Sequence, residues 1–431
     1  MTRERPRCRR SGALASVWCI ALAGGLLLPL PSFARSEQRQ PSAADIVRRY
    51  LAAQRTVALR GTAVVVSPGP GGVTTSMRRI VRGPNGSTLT TILTPRSQRG
   101  TVALNDGTWS IAYEPAERLV KVKRAAPRCA ATNARRARRV LANFTAVVED
   151  QVPLAGRTCY RVRLTPRAGD GCIVTLWIDR RTGAELGREE SDRRGNTQSL
   201  MLFTEVSFPR RVSPSELAFR QPRGVRRVNI DRTSYSRSLA TLTAAARFPV
   251  VAPLTVPAGY EFECGHVVRV NGQDTAVLRY SNGLANLTIC QTESSAPAPV
   301  GAMRLARGEN VVAVSRGRRH VLVFGHHSAA ALYAVAGSID PKLSSAFGNH
   351  IASQFRVARS VVGSLRDRGF TAEGVVVALT AQQRTRRPLP DFAALHDQGW
   401  GWRDLANRFG ISQRDVAQQV AAFHASWRQR P

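Results

Sequence analysis

Thr158-Cys159-Tyr160-Arg161-Val162-Arg163-Leu164-Thr165, then residues 166–171, then Cys172-Ile173-Val174-Thr175-Leu176-Trp177-Ile178-Asp179: the reading of this stretch decides the fold class. From Arg161 to Thr165 polar and apolar residues alternate with a period of two, as in a strand with one wet and one apolar face. Residues 173–178 are apolar on both faces except at Thr175, so they belong in the middle of a sheet, covered by a helix or a ligand. Residues 166–171 carry the Pro and Gly of a turn and close a hairpin between the two. The fold is therefore built on long antiparallel strands.

Working outward, residues 43–54 have helical periodicity, with Ile46, Val47, Tyr50 and Leu51 on one face. Strand-like runs follow at 61–66, 77–81, 87–94, 101–104, 108–113 and 118–123, punctuated by the turn dipeptides Asn85-Gly86 and Asp106-Gly107. A helix is expected over 132–144, with strands at 146–149, 158–165, 172–179, 185–192 and 197–208. Residues 209–237 are rich in Pro, Ser and Arg and read as a linker. A second β-rich unit has strands at 261–270, 275–280, 286–291, 310–315, 320–324 and 330–335, with a small loop at 296–300. From Ser344 the pattern is helical: 345–368, 372–384, 389–398, 402–409 and 413–427. The expected class is α+β. It comprises a curled antiparallel sheet wrapping helices (35–208), a linker (209–237), a smaller β-rich α+β domain (238–336) and a helical module (337–431).

The 431 residues carry 63 Lys plus Arg against 29 Asp plus Glu, a formal net charge of +34. An apolar share of 43% with 21% charged residues excludes wholesale disorder. Lys121, Lys123 and Lys342 are the only lysines, so the excess is arginine. Arg3, Arg5, Arg7, Arg9 and Arg10 precede an apolar stretch from Ala13 to Leu30, and Pro31-Ser32-Phe33-Ala34 places small residues for a cut after Ala34. This reads as a secretory signal over residues 1–34, giving a periplasmic or otherwise exported, soluble chain. Trp18 stands where a lipoprotein box at Cys19 needs a small residue. Export turns the basic surface away from nucleic acid and toward anionic membrane surfaces or an acidic protein. Two basic runs stand out, 121–139 and 210–237; each reads either as such a patch or as a solvated face.

Five cysteines remain after cleavage, Cys129, Cys159, Cys172, Cys264 and Cys290, and their pairing is open. Hairpin geometry separates Cys159 from Cys172 by about 20 Å along the ladder, too far for a bridge. Cys264–Cys290 needs the strand at Glu261 to bend away from a plain meander. No nucleophile elbow, phosphate-binding loop or zinc motif is present. His320, His326 and His327 cluster in sequence, but the last two flank Gly325 with no carboxylate nearby in the chain, so no metal is expected. Glu189, Glu190 and Asp192 beside Arg193-Arg194 read as solvated ion pairs. Residues 402–416 resemble a helix-turn-helix; in an exported chain this is a packing module rather than a DNA reader.

Several motifs together resemble the LolA-like superfamily, in its RseB/MucB branch of periplasmic sigma-factor regulators. In the first unit these are Leu59-Arg60-Gly61-Thr62, Asn105-Asp106-Gly107-Thr108-Trp109 with Tyr113-Glu114-Pro115, residues 155–166, residues 176–183 and Phe203-Thr204-Glu205-Val206. In the second, Pro257-Ala258-Gly259-Tyr260 and residues 278–284 are similar to that branch's smaller C-terminal domain. The helical tail lies outside the family's usual extent. The resemblance implies an apolar cleft for lipid acyl chains or a lipoprotein, and an anti-sigma factor's periplasmic segment as partner. Trp109, Tyr113, Tyr160, Val162, Leu164, Leu176, Trp177 and Phe203 are the candidate lining. No catalytic residue, cofactor or metal is implied. The expected function is a non-catalytic sensor or regulator. The alternatives are a LolA-type carrier of lipids or lipoproteins and, further off, an exported hydrolase, which would show titratable groups converging in one pocket. The segment 345–431 in isolation is expected to be helical and to give no salt-sensitive, sequence-specific shift of duplex DNA in an electrophoretic assay; a specific nanomolar shift would overturn the packing-module reading.

Overall fold

The computed structural model describes residues 41–69, 72–125, 132–296, 300–305 and 309–428. The expected signal peptide and Cys129 lie outside the described residues. The first part contains α1 (Ala43–Thr56), β1 (Leu59–Gly69), β2 (Gly72–Arg82), β3 (Thr88–Thr94), β4 (Val102–Asn105), β5 (Trp109–Glu114), β6 (Leu119–Arg124), α2 (Thr132–Asn143), β7 (Phe144–Leu154), β8 (Arg157–Pro166), β9 (Ile173–Asp179), β10 (Glu185–Ser191), β11 (Thr197–Ser207) and β12 (Arg226–Asn229). Its strands form a 12-stranded open sheet in the order β12-β6-β5-β4-β3-β2-β1-β11-β10-β9-β8-β7. All pairs are antiparallel except β12 with β6.

α1 starts where Ser42 Oγ accepts the Asp45 N–H, and it buries Ile46, Val47, Tyr50 and Leu51, the face the periodicity predicts. Together with Ala137 and Val140 of α2 these side chains cover Tyr160, Val162 and Leu164 of β8 and Val174, Leu176 and Ile178 of β9. On the other face of β8, Arg161 and Arg163 pair with Glu149 of β7. β9 lies between β8 and β10, as its two apolar faces require. β7 is an edge strand, and an extra residue between Val148 and Asp150, two acids and Pro153 make it a poor template for further pairing.

The second part contains α3 (Leu239–Ala246), β13 (Glu261–Val270), β14 (Gln273–Ser281), β15 (Asn286–Glu293), β16 (Gly301–Arg304), β17 (Asn310–Arg316), β18 (Arg319–Gly325) and α4 (Ala329–Gly337). Its six-stranded sheet runs β13-β14-β15-β18-β17-β16. Residues 330–335, expected as a strand, are helical. Ser328 caps the helix, and Leu332, Val335 and Ala336 fall at helical spacing against the sheet. α3 has no counterpart in the sequence reading. Cys264 stands opposite Arg279 and Cys290 opposite Val277, so a whole strand separates them. Cys159, Cys172, Cys264 and Cys290 are free thiols.

The C-terminal part holds α5 (Pro341–Phe355), α6 (Arg359–Asp367), α7 (Ala372–Thr385), α8 (Leu389–Asp397), α9 (Trp402–Arg408) and α10 (Gln413–Arg428). The single helix expected over 345–368 is two, because Arg356 takes a left-handed conformation that ends the first. Ala406, Ile411 and Val416 are buried at the α9–α10 turn, and Phe423 of α10 meets Phe347 of α5 edge-on at 5.2 Å. Among the described residues no helix is long and apolar enough to cross a membrane.

Residues 209–237, expected as a linker, do not hang free. Arg60 binds Glu216 at 2.6 Å, Leu217 packs over Gly83, Phe219 lies 5.5 Å from the Tyr113 ring, and the Arg118 guanidinium donates to Gly224 O. The segment then becomes β12, and Asp231 and Ser236 form bridges to β13. It is a strap across the large sheet.

Gly369, just after α6, has φ of +77°, and a Cβ there would lie 2.4 Å from the Phe262 ring of β13. Left-handed strain of roughly 1 kcal/mol and overpacking of about 1–3 kcal/mol both act against a side chain. Gly369→Ala is expected to lower stability by about 2–3 kcal/mol, read as a lower urea midpoint with secondary structure retained in native buffer.

Candidate functional site

The sequence of α2, TNARRARRVLAN, has four arginines and no acid. It belongs to the first basic run, read above as a surface for anions or a solvated face. The structure corrects both readings for Arg136 and Arg139, which are used inside the molecule, while Arg138 is exposed and bound to the next part. Gly283, with φ of +99°, forms the β14–β15 turn against Val140 of α2; a Cβ there would come within 2.8 Å of the valine. Asn282 Oδ1 accepts the Leu284 and Ala285 N–H groups, which leaves the turn's carbonyls pointing outward. Each of four consecutive carbonyls then receives a donor from the large-sheet part. Ser281 O accepts from Arg139 at 3.3 Å, Asn282 O from Asn143 at 3.1 Å, Gly283 O from Arg136 at 2.7 Å and Leu284 O from Arg188 at 3.2 Å.

The same helix reaches the C-terminal helices. Arg138 donates to Gln398 O, at the end of α8, at 3.0 Å, where the helix dipole favours a cation. Its guanidinium lies 4.8 Å from the Trp400 ring, which Arg408 also faces at 4.9 Å. From β13, Glu261 accepts from His396 at 3.0 Å and from the Trp402 backbone N–H at 3.0 Å, and the two rings stack at 4.6 Å and 7°. Glu263 pairs with Arg279 at 2.6 Å and Arg139 at 3.6 Å. Between these parts lies a cavity of about 30 Å³ lined by Asn143, Tyr260, Glu261, Glu373, Arg403 and Asp404. Its volume suits a water molecule or two, not an acyl chain. Burial raises the Glu373 and Asp404 carboxyls above their usual range.

His326 and His327 also sit at this junction, where carboxylates distant in the chain face them. His327 Nδ1 is 3.1 Å from Asp170 Oδ1, and Ser328 donates to Asp170 Oδ2 at 2.9 Å. His326 lies 3.6 Å from Glu190 and 3.8 Å from Glu309. Asp170 and Glu190 come from the other sheet, more than a hundred residues away. The His327 hydrogen bond, opposed by burial and helped by Ser328, holds the Asp170 carboxyl far below its usual value. Burial pushes Glu190 up, but Arg188 and His326 outweigh it and keep it low. His320 is separate, bound to Ser315 and Ser294. Among the described residues no group of three or more His, Cys, Asp or Glu is arranged to hold a metal ion.

Asp170, His327 and Cys172 have the residue types of a nucleophilic triad, without its chemistry. Cys172 donates to His326 O at 3.3 Å, and burial, with Glu190 next, pushes its thiol up to about 12. An unactivated thiol engaged with a carbonyl is a structural group.

The eight candidate lining residues fall in separate places. Tyr160, Val162, Leu164 and Leu176 form the floor under α1 and α2, the last three with no exposed surface. Phe203 packs with Leu59, Ala63 and Ile80. Trp177 is half-buried beside Gly187, where a Cβ would come within 2.9 Å of the ring. Trp109 and Tyr113 stand on β5. Followed outward from β8, the register carries the helix-covered face through Thr90, Ala103 and Ala112. The row Leu89–Leu104–Ile111–Val122 therefore faces the opposite way. This second apolar surface is covered in part: Leu104 and Val122 are buried, Leu89 and Ile111 are half-buried, the strap's Phe219 lies against Tyr113, and Trp109 is 36% exposed.

His266, on β13 under the Tyr235 ring at 4.4 Å, is held neutral: burial first, then Lys123 and Arg279, bring its pKa down to about 4. The unfolded chain, near 6.5, takes up that proton first. Stability from this group is thus full above pH 6.5 and is lost as pH falls toward 4, by up to about 3 kcal/mol. His266→Gln is expected to flatten urea midpoints between pH 6.5 and 4.5 relative to the unmodified protein; parallel profiles would refute the assignment. Arg136→Met strands Gly283 O at the junction and is expected to cost about 1–3 kcal/mol, with faster proteolytic cleavage within residues 238–428.

No family model matches the chain, and no curated protein matches it. Solved structures do. A Pseudomonas aeruginosa MucA/MucB complex structure is 17% identical with a TM-score of 0.49, over 69% of this chain and 98% of that one. A structure of MucB in complex with MucA(peri) is 17% identical with a TM-score of 0.49, over 70% of this chain and 99% of that one. A LolA superfamily protein from Nitrosomonas europaea is 12% identical with a TM-score of 0.23, over 42% of this chain and 98% of that one. MucB and the LolA superfamily are the kinds of protein that the sequence motifs resemble.

Proposed function

We propose that the chain is an exported, non-catalytic binding protein, a sensor or regulator in an extracytoplasmic sigma-factor pathway. Its large sheet takes a lipid acyl chain or an apolar lipoprotein segment, and its second β-rich part meets an anti-sigma factor's exported segment. The partner follows the sequence resemblance, and the compartment follows the N-terminal signal sequence. The ligand reading rests on one observation: on the face away from the helices, Leu89 and Ile111 of the row Leu89–Leu104–Ile111–Val122, with Tyr113 and Trp109 beside them, keep exposed surface, while Leu104 and Val122 are buried. Each methylene brought onto such a surface contributes about 0.8 kcal/mol. The floor under α1 and α2 is already filled by the helices' own side chains, so ligand entry there needs the helices to part. On the strap side Leu89, Ile111 and Trp109 already keep exposed surface. The docked junction favours a regulator over a carrier, because a carrier has no need of a second part held by four hydrogen-bonded carbonyls.

A fluorescent fatty acid titrated into the purified protein is expected to saturate, with Ile111→Asp weakening it at least tenfold and Val147→Asp, on the exposed edge strand, leaving it unchanged. No saturable binding, or binding indifferent to Ile111→Asp, would sink the acyl-chain reading.

A further inference from the structure

The second basic run is absorbed only at its end, where Arg232 pairs with Asp274 and Arg237 with Asp397. From Pro209 to Asn229 the strap has one acid, Glu216, and it is taken by Arg60 and the Ser213 backbone N–H. Arg210, Arg211, Arg220, Arg223, Arg226 and Arg227 are all exposed, and none forms an ion pair among the described residues. The strap's contacts order them in space: Arg60 of β1, Gly83 after β2, Tyr113 of β5 and Arg118 before β6 hold it in succession. Crossing from β1 to β6 spans five strand spacings, roughly 24 Å. The arginines thus lie along an extended strip, not in a compact cluster.

The strip ends on an open sheet edge. β12 is the outermost strand, paired on one side with β6. Arg226 N–H donates to Arg118 O and Ile230 N–H to Val122 O, so residues 226, 228 and 230 face β6. The main-chain groups of Arg227 and Asn229 therefore point away from it. Unpaired edge groups accept a further strand, and guanidinium groups bind carboxylates in bidentate fashion.

We propose that the strap and β12 form a docking site for an extended acidic polypeptide segment, which adds to the sheet beside β12 and lays its carboxylates along the arginine strip. The open edge favours a peptide over a lipid headgroup surface, because a strand pairs with both the N–H and the C=O groups of Arg227 and Asn229, whereas a headgroup phosphate can only accept from the N–H groups. This site is the outer side of the strap; it does not depend on an acyl ligand beneath it.

The test is fluorescence anisotropy with labelled acetyl-(Val-Glu)5-amide on the full-length mature protein. Binding is expected to weaken with added salt and to fall at least tenfold in the Arg226→Glu/Arg227→Glu double variant. The same charge change at the β10–β11 turn, Arg193→Glu/Arg194→Glu, is expected to alter it less than threefold. A peptide of equal charge with proline at alternate valines, unable to pair as a strand, is expected to bind at least tenfold more weakly. Absence of binding, equal loss in both double variants, or equal binding of the proline peptide would overturn the proposal. So would phosphatidylglycerol vesicles that compete for the site as well as the unlabelled peptide does. Fatty-acid titration of the same variants separates this result from the acyl-chain reading.

Discussion

Enclosed arginines at the junctions of this protein reach main-chain carbonyls as well as the few carboxylates at hand, and the arrangement of the three parts depends on those carbonyls. Basic residues outnumber acidic ones by 63 to 29, so most basic side chains have no carboxylate of their own. A turn whose carbonyls point outward supplies acceptors without a carboxylate. The 281–284 turn does this for Arg139, Asn143, Arg136 and Arg188. Arg366 repeats the solution: buried, it donates to the carbonyls of Ala252, Pro253 and Phe370, and burial brings its pKa down to about 10. Such contacts are directional, with donor and acceptor both desolvated, so loss of one partner strands the other. The junction therefore holds the parts in one register rather than through a loose electrostatic attraction.

The large sheet meets a different constraint. Twelve strands offer more apolar surface than two helices can cover. α1 and α2 cover β7 to β9, and on β3 to β6 the apolar residues move to the opposite face, where the strap lies. The change of face means that one sheet carries two separate apolar surfaces. One is closed by side chains of its own part. The other is closed in part by a segment held through one ion pair, one ring contact and a few hydrogen bonds, and it is the more easily uncovered.

Charge is accordingly divided by location. The acid-free run in α2 is engaged in contacts between parts, whereas the strap's arginines from 210 to 227 face solvent. The histidines follow the same logic. His326 and His327 close on carboxylates from the other sheet, while His320 is satisfied by its own strands.

Local pattern alone determined the strands from 158 to 179, α1 with its buried face, α2, the turns at Asn85-Gly86 and Asp106-Gly107, and most of the helical tail. In each, periodicity, a cap or a turn dipeptide carries the information within about ten residues. A short apolar run such as 330–335 fits helix and strand equally, and there the cap at Ser328 and packing against the sheet decided for helix. Of the candidate lining residues, alternation marked which were apolar and strand-borne. Only the accumulated register across eight strand pairs decided that Tyr160, Val162 and Leu164 lie under helices while Trp109 and Tyr113 face the strap. The partners of Arg136, Arg139, Asn143 and His327 stand more than a hundred residues away. Their meeting depends on how whole sheets pack, and no spacing along the chain encodes it.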